Sequence, residues 1–218
     1  FQSFTNTYGD IDYLRSIFTE AINHPDIVAL SIGTRPDCLP DEVLNLLGEL
    51  NKFKPVWVEL GLQTIHENTA KYINRGYTLD VFNTAVNNLN KINVDVIVHL
   101  IIGLPFESKE DILESVKYVS SMNISGIKLQ LLHVLKNTPL EKEYSLNKFE
   151  VLSMEEYVDI IAECLRYIPK SIVIHRLTGD GPKSILVAPL WSGNKKAVLN
   201  YMNKRFNELN VIQGSLCS

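Results

Sequence analysis

Short apolar runs alternate with amphipathic stretches from residue 1 to about residue 135 of the chain. In the amphipathic stretches, apolar residues recur every three or four positions, which is the spacing of a helix with one buried side. Strict alternation of strands and helices favours a parallel sheet whose strands are joined by helical crossovers. The predicted strands are 1–5, 27–33, 56–63, 94–102 and 126–133.

Residue types typical of helix starts support this division. Asp10 precedes an amphipathic stretch and can cap it through its side-chain oxygen. Ser108 with Asp111 and Ser153 with Glu156 have the spacing of capping boxes. Beyond residue 135 strands and helices no longer alternate regularly. There we predict a helix over 153–168, a strand over 172–176 and a last helix over 194–209. Residues 1–135 are therefore predicted to form a barrel-like domain, and 136–218 an extension packed on it.

Polar residues occupy alternate positions of the predicted strands. In the strand 56–63 every even position is Val or Leu, whereas Glu59, Gly61 and Gln63 are odd. Because side chains alternate across a strand, each strand has one apolar face and one small or polar face. The same division holds for the neighbouring strands, whose polar or small residues are Ser31, Gly33, Asp95, His99, Lys128 and Gln130.

This division predicts an internal cavity. In a βα-barrel the apolar strand face lies beneath the helices, and the other face points into the barrel. Polar side chains are costly in that interior unless they line a wet or ligand-filled space. The alternative is an open antiparallel sheet with one solvated face, which the intervening helices make less favourable.

Charge and cysteine content narrow the functional classes. The net charge of -4 gives no electrostatic support for a nucleic-acid partner, and the longest apolar run, 96–102, is far too short to span a bilayer. The three cysteines are widely separated and form no CxxC pair, which is typical of the reducing cytoplasm. The first residue, Phe1, lies within a predicted strand, so we expect a segment to precede it.

Four short strings carry a family resemblance: TRPD at 34–37, ELGLQT at 59–64, INRG at 73–76 and HLIIGLP at 99–105. In this order they resemble the radical SAM (S-adenosylmethionine) superfamily, in the branch of the Elongator catalytic subunit and coproporphyrinogen dehydrogenase. The strings NTY at 6–8, RLTGD at 176–180 and PLW at 189–191 are similar to the YhcC-type Fe–S oxidoreductases.

The resemblance implies an α/β fold: a partial (βα)6 TIM-like barrel of parallel strands with a C-terminal α/β extension. It also implies a [4Fe–4S] cluster that reductively cleaves SAM to a 5′-deoxyadenosyl radical, which abstracts hydrogen from a substrate. The cluster cysteines are expected in a CxxxCxxC-type loop upstream of Phe1, so no metal ligand is expected in the chain and the chain alone should be inactive. The implied electron donor is a flavodoxin or ferredoxin.

The same resemblance assigns residues to SAM. Asn6 and Thr7 stand where the family has a glycine-rich turn, so a backbone role toward the methionine end of SAM is implied. Gly33 and Thr34 stand where relatives place a glutamate near the ribose.

Four further positions are implied to approach SAM along the edge of the sheet. Gln63 and Arg75 match positions near the ribose and the carboxylate. His99 stands near the adenosyl group, and Gly103 is implied to lie close to the adenine.

For the residues that act on substrate, the sequence offers candidates but no assigned roles. His133, Arg176 and Asp180 lie at the last strand ends, where barrel enzymes carry specificity. Glu59 and Lys128 are catalytic candidates, with a structural ion pair as the equal alternative.

Two other functions stay open at this point. One is a barrel remnant that binds SAM or a partner without a cluster. The other is a lyase or hydrolase using Glu59, His99 and Lys128 as acid–base groups. The Elongator branch keeps a nucleic-acid substrate open, although the charge gives it no support.

Overall fold

A parallel five-stranded sheet organises the chain in the computed structural model, which describes residues 1–2, 5–179 and 181–217. The strand order in this sheet is β1-β2-β3-β4-β6, and strands β5 and β7 form a separate antiparallel pair. The strands are β1 (Leu30–Thr34), β2 (Val56–Gln63), β3 (Asp95–Ile102), β4 (Gly126–Leu131), β5 (Val134–Leu135), β6 (Val173–Arg176) and β7 (Leu186–Ala188).

Helices connect the strands of the large sheet, as the alternation predicts. None of the helices in the described residues has the length and apolar character that crossing a membrane requires. The helices are α1 (Ile11–Asn23), α2 (Asp41–Leu50), α3 (Glu67–Tyr72), α4 (Leu79–Lys91), α5 (Lys109–Ser120), α6 (Pro139–Ser145), α7 (Met154–Tyr167) and α8 (Lys195–Glu208).

The predicted helix caps are confirmed. The Asp10 carboxylate accepts hydrogen bonds from the backbone amides of Asp12 and Tyr13 in the first turn of α1. Both capping boxes form, because the side chains of Ser108 and Ser153 accept from the backbone of Asp111 and Glu156, whose carboxylates accept in return. These bonds satisfy amides that have no partner within the helix, and they define where α5 and α7 begin.

The main hydrophobic core lies between the helices and the apolar strand face that parity predicts. Val58, Leu60 and Leu62 of β2 are fully buried there, as are Val98 and Leu129 of the two following strands. Helices α1, α2, α4, α5 and α7 supply the other side of this core. Burying a continuous layer of branched side chains on one face leaves the other face, called the inner face below, for polar groups.

Several predicted strand limits are wrong by a few residues. The strand expected to begin at residue 27 begins at Leu30, and the one expected to reach residue 133 ends at Leu131. The predicted strand 1–5 falls partly on residues 3 and 4, which lie outside the described residues. Phe1 nevertheless bonds along one edge of β1, donating to Ser31 O at 2.9 Å and accepting from Gly33 N at 2.8 Å, the pattern of a parallel neighbour.

A smaller apolar cluster lies at the carboxyl end of the sheet. It contains Leu104, Leu132, Val134, Phe149 and Ala188, with side chains of α6 packed against it. Strands β5 and β7 and helix α6 were not predicted from the sequence. Strand β6, in contrast, lies close to its predicted place and joins the large sheet beside β4.

Candidate functional site

One carboxylate joins four neighbouring strands on the inner face. Glu59 Oε1 accepts from Ser31 Oγ at 2.7 Å and from Gln2 Nε2 at 3.1 Å. Its Oε2 accepts from Lys128 Nζ at 2.6 Å, and His99 Nε2 lies 3.0 Å from the same oxygen. The parity argument thus places these residues on one face correctly, and the predicted Glu59–Lys128 ion pair forms.

The Glu59 carboxyl remains ionised in this setting. Burial alone would raise its pKa, but the neighbouring His99, Lys128 and Ser31 together hold the pKa well below its usual range. His99 Nε2 is buried and, despite its short distance to Glu59, is not aligned for a full hydrogen bond with any described residue. The inner face therefore holds one ion pair and an imidazole nitrogen that lies close to the same carboxylate without a well-aligned hydrogen bond to it.

A second histidine reaches this cluster from the edge strand. The ring of His175 lies over Gly126, where a side chain at residue 126 would come within 2.5 Å of it. Burial lowers the pKa of His175, and the positive charge of Lys128 lowers it further. No role was predicted for His175, because β6 is too short for the alternation of residues to indicate which side chains lie on the inner face.

The carboxyl end of β2 is held by Arg75. Its guanidinium donates to Thr64 O at 2.7 Å, to Tyr77 O at 2.8 Å and to Glu67 Oε1 at 2.9 Å, and its side chain is 1% exposed. These bonds use much of the donor capacity of the guanidinium. The arrangement favours a role in shaping the strand end, and the predicted contact with the SAM carboxylate stays a prediction.

Gln63 ends β2 with a positive φ of 65°, beside a register irregularity. Its side-chain oxygen lies 3.1 Å from Tyr77 Oη, and the same hydroxyl bonds to Gly61 O. Burial raises the pKa of Tyr77 to about 12, so the phenol stays protonated. Tyr77 was not predicted, although it directly follows the INRG string.

A pocket of about 550 Å³ opens at this edge of the sheet, between the ends of the strands and helix α6. Two of the residues that the resemblance assigns to SAM, Gln63 and Arg75, line it together. Most of the remaining wall is apolar, with polar groups at Asn74, Thr138 and Glu143. The full lining is Gln63, Tyr72, Ile73, Asn74, Arg75, Ile101, Leu104, Leu132, Thr138, Pro139, Leu140 and Glu143.

The residues predicted for the methionine end of SAM meet each other at the β1 edge. Asn6 donates to Gly33 O through its backbone (3.1 Å) and its side chain (2.9 Å). The hydroxyls of Thr7 and Thr34 lie 2.5 Å apart, and Thr7 also donates to Cys38 O. These four residues form a group apart from the lining of the pocket, and their contact with SAM stays a prediction.

The other predicted positions are dispersed. Gly103 has a φ of 85°, and a side chain there would come within 2.9 Å of Leu152, so its backbone and packing both require glycine. His133 contacts Ser192 Oγ at 3.0 Å and is not among the residues that line the pocket beside Gln63. Arg176 stands opposite Lys128 in the β4–β6 register. Asp180, the last substrate candidate, lies outside the described residues.

The described residues do not fit an iron–sulfur cluster. Cys164 is buried, which raises its thiol pKa to about 12, and neither Cys38 nor Cys217 joins a group with metal-ligand spacing in the described part of the chain. The group that does have such spacing there is His66, Asp111 and Glu114. This group contains no cysteine, and its Asp111 already caps α5.

Two family profiles match the chain. The profile described as the Radical SAM superfamily matches residues 4–119, and the one described as the Radical_SAM C-terminal domain matches residues 124–208. The first match alone covers more than half of the chain, so the chain belongs to the radical SAM superfamily. The superfamily predicted from the strand-end strings is thereby confirmed.

Similar proteins agree with this assignment. The protein YtqA of Bacillus subtilis is 44% identical over 98% of this chain and 66% of its own length. The protein YhcC of Escherichia coli is 35% identical over 99% of this chain and 70% of its own length. The chain therefore spans about two thirds of the length of these relatives.

Solved structures share the fold. The archaeal Elp3 of Methanocaldococcus infernus matches with a TM-score of 0.78 at 22% identity, over 95% of this chain and 53% of that chain. The radical SAM enzyme HemN of Escherichia coli, a coproporphyrinogen III oxidase, matches with a TM-score of 0.57 at 18% identity, over 75% of this chain and 38% of that one. The predicted α/β, TIM-like fold class is confirmed.

Proposed function

We propose that the protein containing this chain is a radical SAM enzyme, and that the pocket beside Gln63 holds the adenosyl part of SAM. The observation that carries the proposal is the meeting of Gln63 and Arg75 at one pocket of about 550 Å³. The strings ELGLQT and INRG assign both residues to SAM independently of any geometry. Ligand sites of parallel sheets generally lie at the carboxyl ends of the strands, as this pocket does.

The wall of the pocket suits an adenosyl group. Ile101, Leu104 and Leu132 offer an apolar surface for the base, and the amide of Gln63 offers a hydrogen bond at the rim. When bound and reduced by one electron, SAM supplies a 5′-deoxyadenosyl radical that can take a hydrogen atom from substrate. The residues of this chain would bind and orient SAM, and a cluster would have to be held elsewhere in the full protein.

We place the substrate against the inner face, next to His99 and Lys128. His99 Nε2 lies there beside Glu59 without a well-aligned hydrogen-bond partner among the described residues. Acid–base catalysis by Glu59 receives less support, because its lowered pKa keeps the carboxyl beside Lys128 ionised, without a proton to donate and only weakly basic. A relative that is 27% identical to this chain over 185 residues is named tRNA uridine(34) acetyltransferase, but the net charge of -4 lends a nucleic-acid substrate no support.

The experiment uses the full-length protein, reconstituted anaerobically with iron and sulfide. Dithionite and SAM should yield 5′-deoxyadenosine, measured by liquid chromatography, and calorimetry should detect SAM binding. Gln63→Ala should weaken binding by about 5- to 10-fold, the value of one lost hydrogen bond. Asn87→Ala removes an exposed amide from α4 and should leave the affinity unchanged. Full-length protein that neither binds nor cleaves SAM would refute the proposal.

The expectation that residues 1–218 alone are inactive stays a prediction, as do the electron donor and the division at residue 135. The same assay tests the first of these if the isolated chain is compared with the full protein. Formation of 5′-deoxyadenosine by the isolated chain would show that expectation to be wrong.

A further inference from the structure

The ring of Tyr77 contacts two guanidinium groups, one of which, that of Arg75, belongs to the pocket lining. The guanidinium carbon of Arg35 lies 5.2 Å from the ring centre, and that of Arg75 lies 5.0 Å from it. Both cations are themselves fixed, Arg35 by a two-pronged bond to Asp37 (2.9 and 2.7 Å) and Arg75 by Thr64 O. Cation–π contacts with fixed partners leave the phenol ring little freedom.

The backbone beside the ring is adapted to this stack. Gly76 has a φ of 85°, and a side chain there would come within 3.1 Å of the Arg35 guanidinium. Glycine is therefore favoured at residue 76 by its conformation, and a side chain there would also require the Arg35 guanidinium to shift. The strings TRPD, ELGLQT and INRG thus meet in a single structure at the ends of β1 and β2.

The hydroxyl of this fixed ring reaches the end of β2. Tyr77 Oη bonds to Gly61 O and lies 3.1 Å from the side-chain oxygen of Gln63. A phenol has one proton and both of these neighbours are acceptors, so Tyr77 shares its donor between Gly61 O and Gln63 Oε1. One end of the Gln63 amide is thereby anchored.

The other end of the Gln63 amide is left for a ligand. It lies over Gly61, where a side chain would come within 2.5 Å of Gln63 Nε2. In the described residues this end of the amide has no hydrogen-bond partner. Gln63 also has a positive φ, an unfavourable conformation for a residue with a side chain, which commonly marks a position constrained by function.

We propose that Tyr77 is a positioning residue, which presents the free end of the Gln63 amide to a hydroxyl of the SAM ribose. This inference rests on the proposed function. It adds Tyr77 to the site and a preference for ligands that carry the ribose hydroxyl. A side chain immobilised before the ligand arrives does not lose freedom on binding, so the hydrogen bond to the hydroxyl is gained at lower entropic cost. Gly61 takes part because its missing side chain leaves room for the amide.

The test compares SAM with its 2′-deoxy and 3′-deoxy analogues, by calorimetry on the full-length, reconstituted protein. The wild type should bind at least one analogue about 5- to 10-fold more weakly than SAM. Tyr77→Phe keeps the stacked ring but removes the hydroxyl, so it should weaken SAM binding and leave binding of that analogue nearly unchanged. The preference for SAM over the analogue should therefore shrink.

The matched control is Tyr118→Phe, which removes a hydroxyl that donates to Asn83 Oδ1 at 2.9 Å between α5 and α4. It should retain the full preference for SAM. A double-mutant cycle adds a second readout, because Tyr77→Phe should have little further effect on SAM affinity once Gln63→Ala is present. General destabilisation would weaken SAM and the analogue alike and would leave the preference intact.

Two contrary outcomes are distinguishable. A wild type that binds SAM, combined with a Tyr77→Phe variant that keeps the wild-type preference, would overturn this inference alone. A full-length wild type that does not bind SAM would overturn the proposed function, and this inference with it.

Discussion

Lys128 and Arg75 are both buried cations of the same sheet, but they are held by different kinds of partner. Lys128, 7% exposed, donates to the carboxylate of Glu59, which is as deeply buried as itself. Arg75, 1% exposed, donates mainly to backbone carbonyls, and its carboxylate partner Glu67 is 53% exposed. One cation is matched by a buried charge, and the other is solvated by the backbone.

The difference teaches what each cation does. A buried ion pair adds little net stability over an apolar pair, but removal of one partner is costly because a charge is left without its counter-ion. A guanidinium that bridges carbonyls fixes the path of the chain, since its planar donors suit several acceptors at once. Lys128 therefore maintains the electrostatic balance of the inner face, whereas Arg75 maintains the shape of the pocket edge.

The largest effect is expected when the ion pair is broken from one side. Lys128→Met leaves Glu59 buried without its cation, which should lower the free energy of unfolding by about 3–5 kcal/mol. Urea denaturation followed by circular dichroism measures this change. The double variant Glu59→Gln/Lys128→Met removes both charges and should recover a large part of the loss. A loss in the double variant equal to the sum of the losses in Lys128→Met and Glu59→Gln alone would show that the pair is not electrostatically coupled.

A smaller effect is expected at the pocket edge. Arg75→Lys keeps the charge, but an ammonium group cannot bridge the carbonyls of Thr64 and Tyr77 as the guanidinium does. The loss should be about 1–3 kcal/mol, the cost of leaving a buried acceptor without a donor. SAM affinity should fall as well, because the cation–π contact that fixes Tyr77 changes. Unaltered stability and affinity would contradict the scaffolding role.

The smallest effect is expected in how the free energy of unfolding depends on pH, to which Glu59 contributes. Because the pKa of Glu59 is lowered in the folded state, its stabilising contribution is present above its ordinary value of 4.5 and is lost as the pH falls below it. Glu59→Gln, although less stable near neutral pH, should therefore lose less stability than the wild type on acidification. Unfolding free energies measured from neutral pH to about pH 3 give the two slopes. Parallel slopes would show that Glu59 has no depressed pKa.

Much of the sheet could be predicted because its signals are local or strictly periodic. The alternation in β2 separates buried Val58 and Leu60 from Glu59 without any knowledge of the neighbouring strands. Capping boxes such as Ser108–Asp111 are similarly contained within four residues. The pair β5 and β7 escaped prediction because strands of two and three residues have no periodicity to detect.

The edge of the pocket was harder to predict, for a different reason. The resemblance assigned Arg75 to a carboxylate, but the chain bends at Gln63 so that carbonyl oxygens come within reach of the guanidinium. Tyr77 was overlooked because its importance depends on Arg35, which is more than forty residues away in the sequence. Contacts of this kind depend on the backbone path after the strands end, and no period or motif encodes them.

The Glu59 carboxylate has a consequence for how this sequence can change over time. Ser31, His99 and Lys128 come from three different strands and converge on one acid. Replacing Glu59 alone leaves the buried ammonium group of Lys128 without its counter-ion, whereas replacing Glu59 and Lys128 together does not. Substitutions at these two positions are therefore expected to be coupled, and relatives that lack the acid should lack the lysine too.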